Sequence, residues 1–396
     1  MSSPLNPPTS LVQDETAPAV SGSRPRRVST HSVHAVRALA AVLVVVAHLT
    51  GPVGFEGKVF GGGPGAFGWL REATVGVGVD VFLVLSGFFL VLTTAGLRRG
   101  ERGVGRSLGR RLVRILPLYW LATLGVLAIT VVLPGEVNGS QEHAPDVLAS
   151  FLLLPQPGLP LLLVGWTLTH IVAFALVFHL GLLTRSTRGL WTVLTVWAVV
   201  VAAVDVVLRV SPEGTGGPAL GTLGSLFNLA PLLGAVLAQL LLSGARAGGA
   251  AALVVGSLAL VVLTGLRLVP GLRGADWVTG QDYRFFGTTL AACVFLYGLV
   301  VLEQRRGWRS PRFLTSVATS SYSLYLVHVP LLGAAAVVVA RFGLPDAVPA
   351  RVLFVLLTLA ACLGFAHLVN RWVEVPVTRW ISDRTGLSRR EPRPAR

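Results

Sequence analysis

Apolar residues in this chain recur in runs long enough to cross roughly 30 Å of hydrocarbon at 1.5 Å per residue. They lie near 34–54, 74–96, 115–134, 163–183, 190–210, 221–243, 249–269, 286–303, 316–340 and 348–368. This pattern predicts an all-α integral membrane bundle of about ten transmembrane helices, with both termini on one side. The segment 147–163, VLASFLLLPQPGLPLLL, is also apolar. Its Pro155, Pro157 and Pro160 favour a re-entrant or interfacial piece over a further span. No fixed-period repeat is visible. The longest segments opposite the termini, near 55–73 and 135–162, have the size of loops or lids.

Composition agrees with lipid as the solvent. Hydrophobic residues make up 53% of the 396 and charged residues only 13%, against roughly 25% charged in soluble domains. The net charge of +15 would point to nucleic acid in a soluble protein. Here the basic residues lie between apolar runs, so membrane lipid is the expected partner and nucleic acid is not. Of the 33 Lys and Arg, 24 fall on the side of the termini, 8 fall on the opposite side, and Arg37 lies inside the first run. By the positive-inside rule the termini are then cytoplasmic and the protein is multi-pass in the cytoplasmic (plasma) membrane.

The expected organisation is a disordered Pro- and Ser-rich tail over 1–32, a transmembrane domain over 33–380 and a basic tail over 381–396. Residues 1–30 lack the apolar core of a cleavable signal, so the first span is expected to act as an uncleaved anchor. Cys293 and Cys362 sit in apolar runs without metal-ligand spacing, and neither a disulfide nor a metal site is expected.

Charges inside spans cost roughly 2.5–3.5 kcal/mol each on insertion scales, which makes Arg37, Asp80 and Asp205 functional candidates. His48, His170 and His328 belong to three different runs, with His179 and His367 nearer the terminal side. Counted along each helix, the first three lie roughly 21 Å deep and Asp80 roughly 25 Å, so the four can share one layer. Arg37 and His48 are eleven residues apart, on one face of a helix and roughly 16 Å apart along it. Plainer roles exist for each: snorkelling for Arg37, a satisfied bundle histidine for His48, a helix-to-helix hydrogen bond for Asp80. The segment RRGERGVGRSLGRRLVRILPLYW is the densest basic run. Its arginines suit the phosphates of a cofactor or the headgroups of anionic lipid.

RALAAVLVVVAH (37–48), GVGVDVFLVLSGFF (76–89), RRLVRILPLYW (110–120), SYSLYLVH followed by Val329 and Pro330, and VEVPVTR (373–379) occur in this order. Together they resemble the acyltransferase-3 family of bacterial membrane acyltransferases, over about residues 33–380. The resemblance implies an acyl-CoA-dependent O-acyltransferase that carries an acyl group, often acetyl, from cytoplasmic acyl-CoA to a carbohydrate or other acceptor outside. It also implies Arg37 and His48 as the essential pair, and Arg110, Arg111 and Arg114 as the contact to coenzyme A. Asp80 is the candidate to orient the His48 imidazole, and Ser86, His170, Tyr322, Tyr325 and His328 are candidates to line the substrate path. One departure stands out. Family members commonly carry Glu three residues after a Trp-Ser/Thr-Leu triplet, whereas Trp166, Thr167 and Leu168 are followed by Thr169, His170 and Ile171. Either His170 takes over the polar role from the adjacent position, or the acceptor site differs, or the activity does. The chain ends soon after the last span, so the resemblance is to the stand-alone membrane domain without a fused esterase-like domain.

The acceptor could be a surface polysaccharide, a lipid-linked glycan or a glycosylated metabolite such as a macrolide. A transporter or flippase is the rival of another class. It offers no reason for ordered motifs or for an arginine run beside a span.

Overall fold

The computed structural model describes residues 28, 30–61, 67–97, 101–132, 144–212, 215–269, 272, 284–307 and 311–388. Most of the tail over 1–32, Arg98, Arg99, the side chain of Arg102, most of the 270–285 loop and residues 389–396 lie outside the described residues. Within them the chain is helical and contains no strand. Ten helices are long and apolar enough to cross a membrane, as expected. A helix satisfies every backbone donor and acceptor internally, which hydrocarbon requires.

The crossing helices are α1 (His31–Leu49), α4 (Val77–Thr94), α5 (Glu101–Val132), α7 (Gly165–Leu183), α8 (Thr187–Val210), α10 (Ala230–Ser243), α11 (Gly249–Leu266), α12 (Leu290–Arg306), α13 (Arg312–Ala340) and α14 (Val348–Val369). Short helices α2 (Phe55–Phe60), α3 (Gly68–Thr74), α6 (Val147–Leu152) and α9 (Gly217–Gly224) lie between them, and α15 (Val375–Arg384) follows α14. A 3-10 turn at Leu226–Asn228 leads into α10, a π turn at Arg284–Thr289 leads into α12, and another at Asn370–Glu374 joins α14 to α15. The basic run before the third apolar stretch is helical from Glu101 and continuous with the span that follows, since arginine is a good helix former. The 147–163 segment makes one short helix and then an irregular path through its prolines. Tyr119 donates to the carbonyl of Ser150 at 2.5 Å and Trp120 to that of Phe151 at 2.9 Å, which holds this segment against α5.

α4 is packed between α1 and α10. A Cβ on Gly87 would stand 1.7 Å from the carbonyl oxygen of Pro231, and one on Gly234 would stand 1.8 Å from that of Val84. The two backbones therefore touch, which is how membrane helices gain packing without a hydrophobic driving force between them. On the outside of the bundle, Leu258, Val261 and Val262 of α11 and Val196, Val199 and Val206 of α8 are exposed, as lipid-facing positions should be.

Both ends of α1 are pinned. Glu303 of α12 accepts from the backbone amides of His31 and Ser32, at 3.1 and 2.7 Å, and from the Ser32 hydroxyl. A carboxylate there satisfies orphan donors and complements the helix dipole. At the other end Arg71 of α3 donates to the carbonyl of Ala47. Just beyond, Glu56 accepts from Gly51 N–H at 2.9 Å and from Arg351 at 3.0 Å. Arg351 also donates to Asp346 at 2.6 Å and holds that exposed carboxyl below the usual carboxylate range.

Candidate active site

His48 is one residue from the end of α1. Its Nδ1 lies 2.9 Å from the carbonyl oxygen of Val44. A carbonyl can only accept, so Nδ1 carries the proton and Nε2 presents a lone pair. His328 of α13 repeats this arrangement, with Nδ1 at 3.1 Å from the carbonyl of Leu324. The two imidazoles meet edge to face with centroids 5.1 Å apart. His328 is fully buried, and its Nε2 has no hydrogen-bond partner among the described residues. The His328 Nε2 lone pair thus stands without a donor among the described residues, beside the His48 ring, in the half of the bundle opposite the termini. Arg71 supplies positive charge within electrostatic reach of His48.

The pair is bounded by tyrosines. The Tyr325 ring lies 6.0 Å from that of His328 and 5.6 Å from that of Phe82. Its hydroxyl is 2.5 Å from Thr167 Oγ1 and donates to Val164 O at 3.2 Å. Tyr322, one helical turn earlier on α13, donates to the carbonyl of Ile115 at 2.6 Å.

Toward the terminal side of the bundle, α1 and α5 bring guanidinium groups together. Arg37 is within electrostatic reach of Arg114, and Arg114 of Arg111. Arg37 and Arg114 make no hydrogen bond or ion pair among the described residues. Arg111 donates one long bond, 3.4 Å, to the carbonyl of Ser86, while its Nε is buried without a partner. Arg110, half-buried, is the next residue and points roughly 100° away around the helix. Glu374 is within electrostatic reach of Arg37. It accepts from Ser323 at 2.6 Å and from Asn370 at 2.9 Å. Arg37, Arg111 and Arg114, for which no ion pair is described, present forked donors of the kind that match phosphate oxygens.

Asp80 does not orient His48. Its carboxylate accepts from Arg284 at 2.6 Å and from Thr288 at 2.8 Å, both in the π turn before α12. A buried carboxylate needs the nearest cation, and Arg284 supplies it. The orienting group of His48 is instead the Val44 carbonyl. Asp205, the other charge inside a span, is closed by Arg209 one turn on, at 2.8 Å. His170 also stands apart from the histidine pair. Its Nδ1 lies 2.9 Å from Asn228 Oδ1, and its ring faces Trp166 and Phe227. Ile171, at the position where the family has Glu, is packed into the apolar core. His179 is engaged by Ala175 O at 2.7 Å and Ser107 Oγ at 3.2 Å, and His367 is exposed.

Arg284, Glu374, Glu303 and Arg71 were not singled out from the sequence. Each is a charge at the end of an apolar run, and pairing basic with acidic run ends would have nominated them. The five ordered motifs converge in space: His48 meets His328, Phe82 meets Tyr325, Arg111 meets Ser86, Tyr322 meets Ile115, and Ser323 meets Glu374.

Comparison with known proteins adds one match. A family model described as an acyltransferase domain, that of the acyltransferase-3 family, matches residues 30–367. No curated protein and no solved structure matches this chain.

Proposed function

This chain belongs to the acyltransferase-3 family and is a multi-pass membrane acyltransferase, and from that premise we propose that it carries an acyl group, acetyl in the first instance, from cytoplasmic acyl-CoA to a hydroxyl of a carbohydrate or glycosylated acceptor beyond the plasma membrane. The observation that carries this reading is the pairing of two sites along α1. Arg37 is within electrostatic reach of Arg114, and Arg114 of Arg111, and the three supply the donors that we assign to phosphate near the terminal side. His48, eleven residues on and roughly 16 Å away, presents an unprotonated Nε2.

The donor set fits a phosphorylated carrier. Arg37, Arg111 and Arg114 would hold the phosphates of coenzyme A, which supplies the acyl group as a thioester. Ser86, whose carbonyl Arg111 contacts, lies between that site and the histidines along α4 and lines the acyl path together with Tyr322 and Tyr325. His48 Nε2 takes the proton of the acceptor hydroxyl as its oxygen bonds to the acyl carbon and the thioester C–S bond breaks. The proton then passes to the departing thiolate, leaving an ester and free coenzyme A. The Val44 carbonyl keeps the ring in the tautomer this needs, and it accepts the same Nδ1–H when the imidazolium forms.

The test is mass spectrometry of surface glycans and secreted glycosylated metabolites from cells with and without the gene. We expect one acyl mass to vanish with the gene and to return with the wild-type chain, but not with His48→Gln. An unchanged acyl inventory, with the protein inserted and present, refutes the reading.

A further inference from the structure

A cavity of about 510 Å³ opens in the half of the bundle opposite the termini, and the histidine pair does not line it. Its walls come from the start of α7, the 156–157 loop and the stretch from Gly217 to Phe227. Its volume falls within the roughly 300–1,000 Å³ typical of small-molecule sites. Trp166 and Phe227 offer two ring faces inclined at 55°, with centroids 5.3 Å apart. Thr222, Ser225 and Gln156 contribute polar groups to the lining.

His170 is the one ionisable side chain among the lining residues, and its tautomer is set by a chain of hydrogen bonds. Asn228 Nδ2 donates to the carbonyls of Thr222 and Leu223 at 2.6 and 3.0 Å. Oδ1 is therefore the atom that faces His170 Nδ1, which must carry the proton. That leaves Nε2 of His170 as an acceptor of a hydroxyl proton. Among the described residues no charged side chain lines the cavity. Arg284 lies over the Phe227 ring at 4.5 Å and is paired with Asp80.

We propose that this cavity is an acceptor subsite for a neutral pyranose unit. The electron-rich face of Trp166 attracts the C–H face of a sugar ring, with Phe227, which Arg284 covers, at its side. His170 Nε2 accepts from one ring hydroxyl. With Arg284 paired to Asp80 and no cationic side chain among the described lining residues, an anionic sugar finds no counter-charge there. The subsite shares the first turn of α7 with Thr167, whose hydroxyl meets Tyr325 beside the histidine pair. Because His48 is not part of the wall, the bound ring is a neighbour of the ring that is acylated. The acceptor therefore carries at least two linked ring units. This rests on the acyl-transfer reading above, and the following test separates the two.

The probe is an extract of glycans and glycosylated metabolites from cells lacking the gene, split by anion exchange into neutral and acidic fractions. Purified protein in lipid nanodiscs is mixed with each fraction, and tryptophan fluorescence is compared between wild type and Trp166→Phe. The neutral fraction should give a saturable change in the wild type that is lost in Trp166→Phe, and the acidic fraction should give none. In parallel, labelled acetyl-CoA reports transfer into the neutral fraction. Trp166→Leu and His170→Leu should raise the acceptor KM about tenfold, the scale of one lost aromatic contact. His170→Gln, which keeps an acceptor oxygen, should recover part of that loss, and acetyl-CoA binding should be unchanged in all three. A response to the acidic fraction alone, no Trp166-dependent response to either, or an unaltered acceptor KM in the variants overturns the subsite. Saturable neutral-fraction binding without any label transfer instead overturns the acyltransferase mechanism and leaves the subsite standing.

Discussion

At the scale of single residues, the proposal rests on the imidazole at position 48. With Nδ1 committed to Val44, protonation falls on Nε2, so activity should drop at low pH as one ionisation removes the base. His48→Gln should lower transfer by about a hundredfold or more, while acyl-CoA still binds at the arginines roughly three turns away. Equilibrium binding of labelled acyl-CoA beside a turnover assay checks both halves. Turnover near the wild-type rate would dismiss His48 as the base and leave its neighbour His328 to be tested. Asp80 has a different role. Removing one partner of a buried pair costs about 3–5 kcal/mol in soluble proteins, so Asp80→Ala should lower the melting temperature and leave the pH profile of the remaining activity in place. A shifted profile at unchanged melting temperature would restore Asp80 to the catalytic group. Arg37 and His48 were legible in the sequence because a charge and an imidazole stand out in an apolar run. The partner of Asp80 was not, because Arg284 sits at the edge of a run, where hydropathy treats it as loop, and only tertiary structure sets it against α4.

At the scale of elements, α5 carries a basic segment and an apolar span as one continuous helix. Hydropathy sees only its apolar part and assigns the arginines before it to a loop, yet the helix starts at Glu101. That continuity places Arg111 and Arg114 at fixed rotations against α1 and α4. Replacing both with Gln should raise the acyl-CoA concentration needed for half-maximal rate strongly, with protein level and insertion intact, because bidentate phosphate contacts are lost. Neutralising Arg102 and Arg106 should have a much smaller effect, and an equal effect would mean a general attraction to lipid headgroups. The α4–α10 crossing gives a separate structural test. Gly87→Leu should prevent the close approach to Pro231 and reduce the yield of folded protein extracted in mild detergent. A normal yield would show that the two backbones are not in contact. At the departure, Ile171 packs against the core while His170 lines the cavity, so the two adjacent positions face different surroundings.

For the whole molecule, the number of spans was legible because hydrocarbon leaves a polypeptide few ways to satisfy its backbone. The cavity was not. Its walls come from segments near 156, 166 and 217–227, which no local pattern connects. The distribution of arginine predicts the sidedness: reporter fusions should place residues 101–114 and the C-terminal end in the cytoplasm and residues 55–73 outside. With that sidedness the arginines and the histidine pair would face opposite compartments, as the proposed vectorial acyl transfer requires. The most direct measurement uses acetyl-CoA labelled in its acetyl group, purified protein in nanodiscs and the glycan extract described above. Wild-type protein should release coenzyme A in step with the appearance of label on the extract, and both should disappear together in His48→Gln and Arg37→Gln. Release without label on any acceptor, or label transfer that survives in both variants, would contradict acyl transfer along α1.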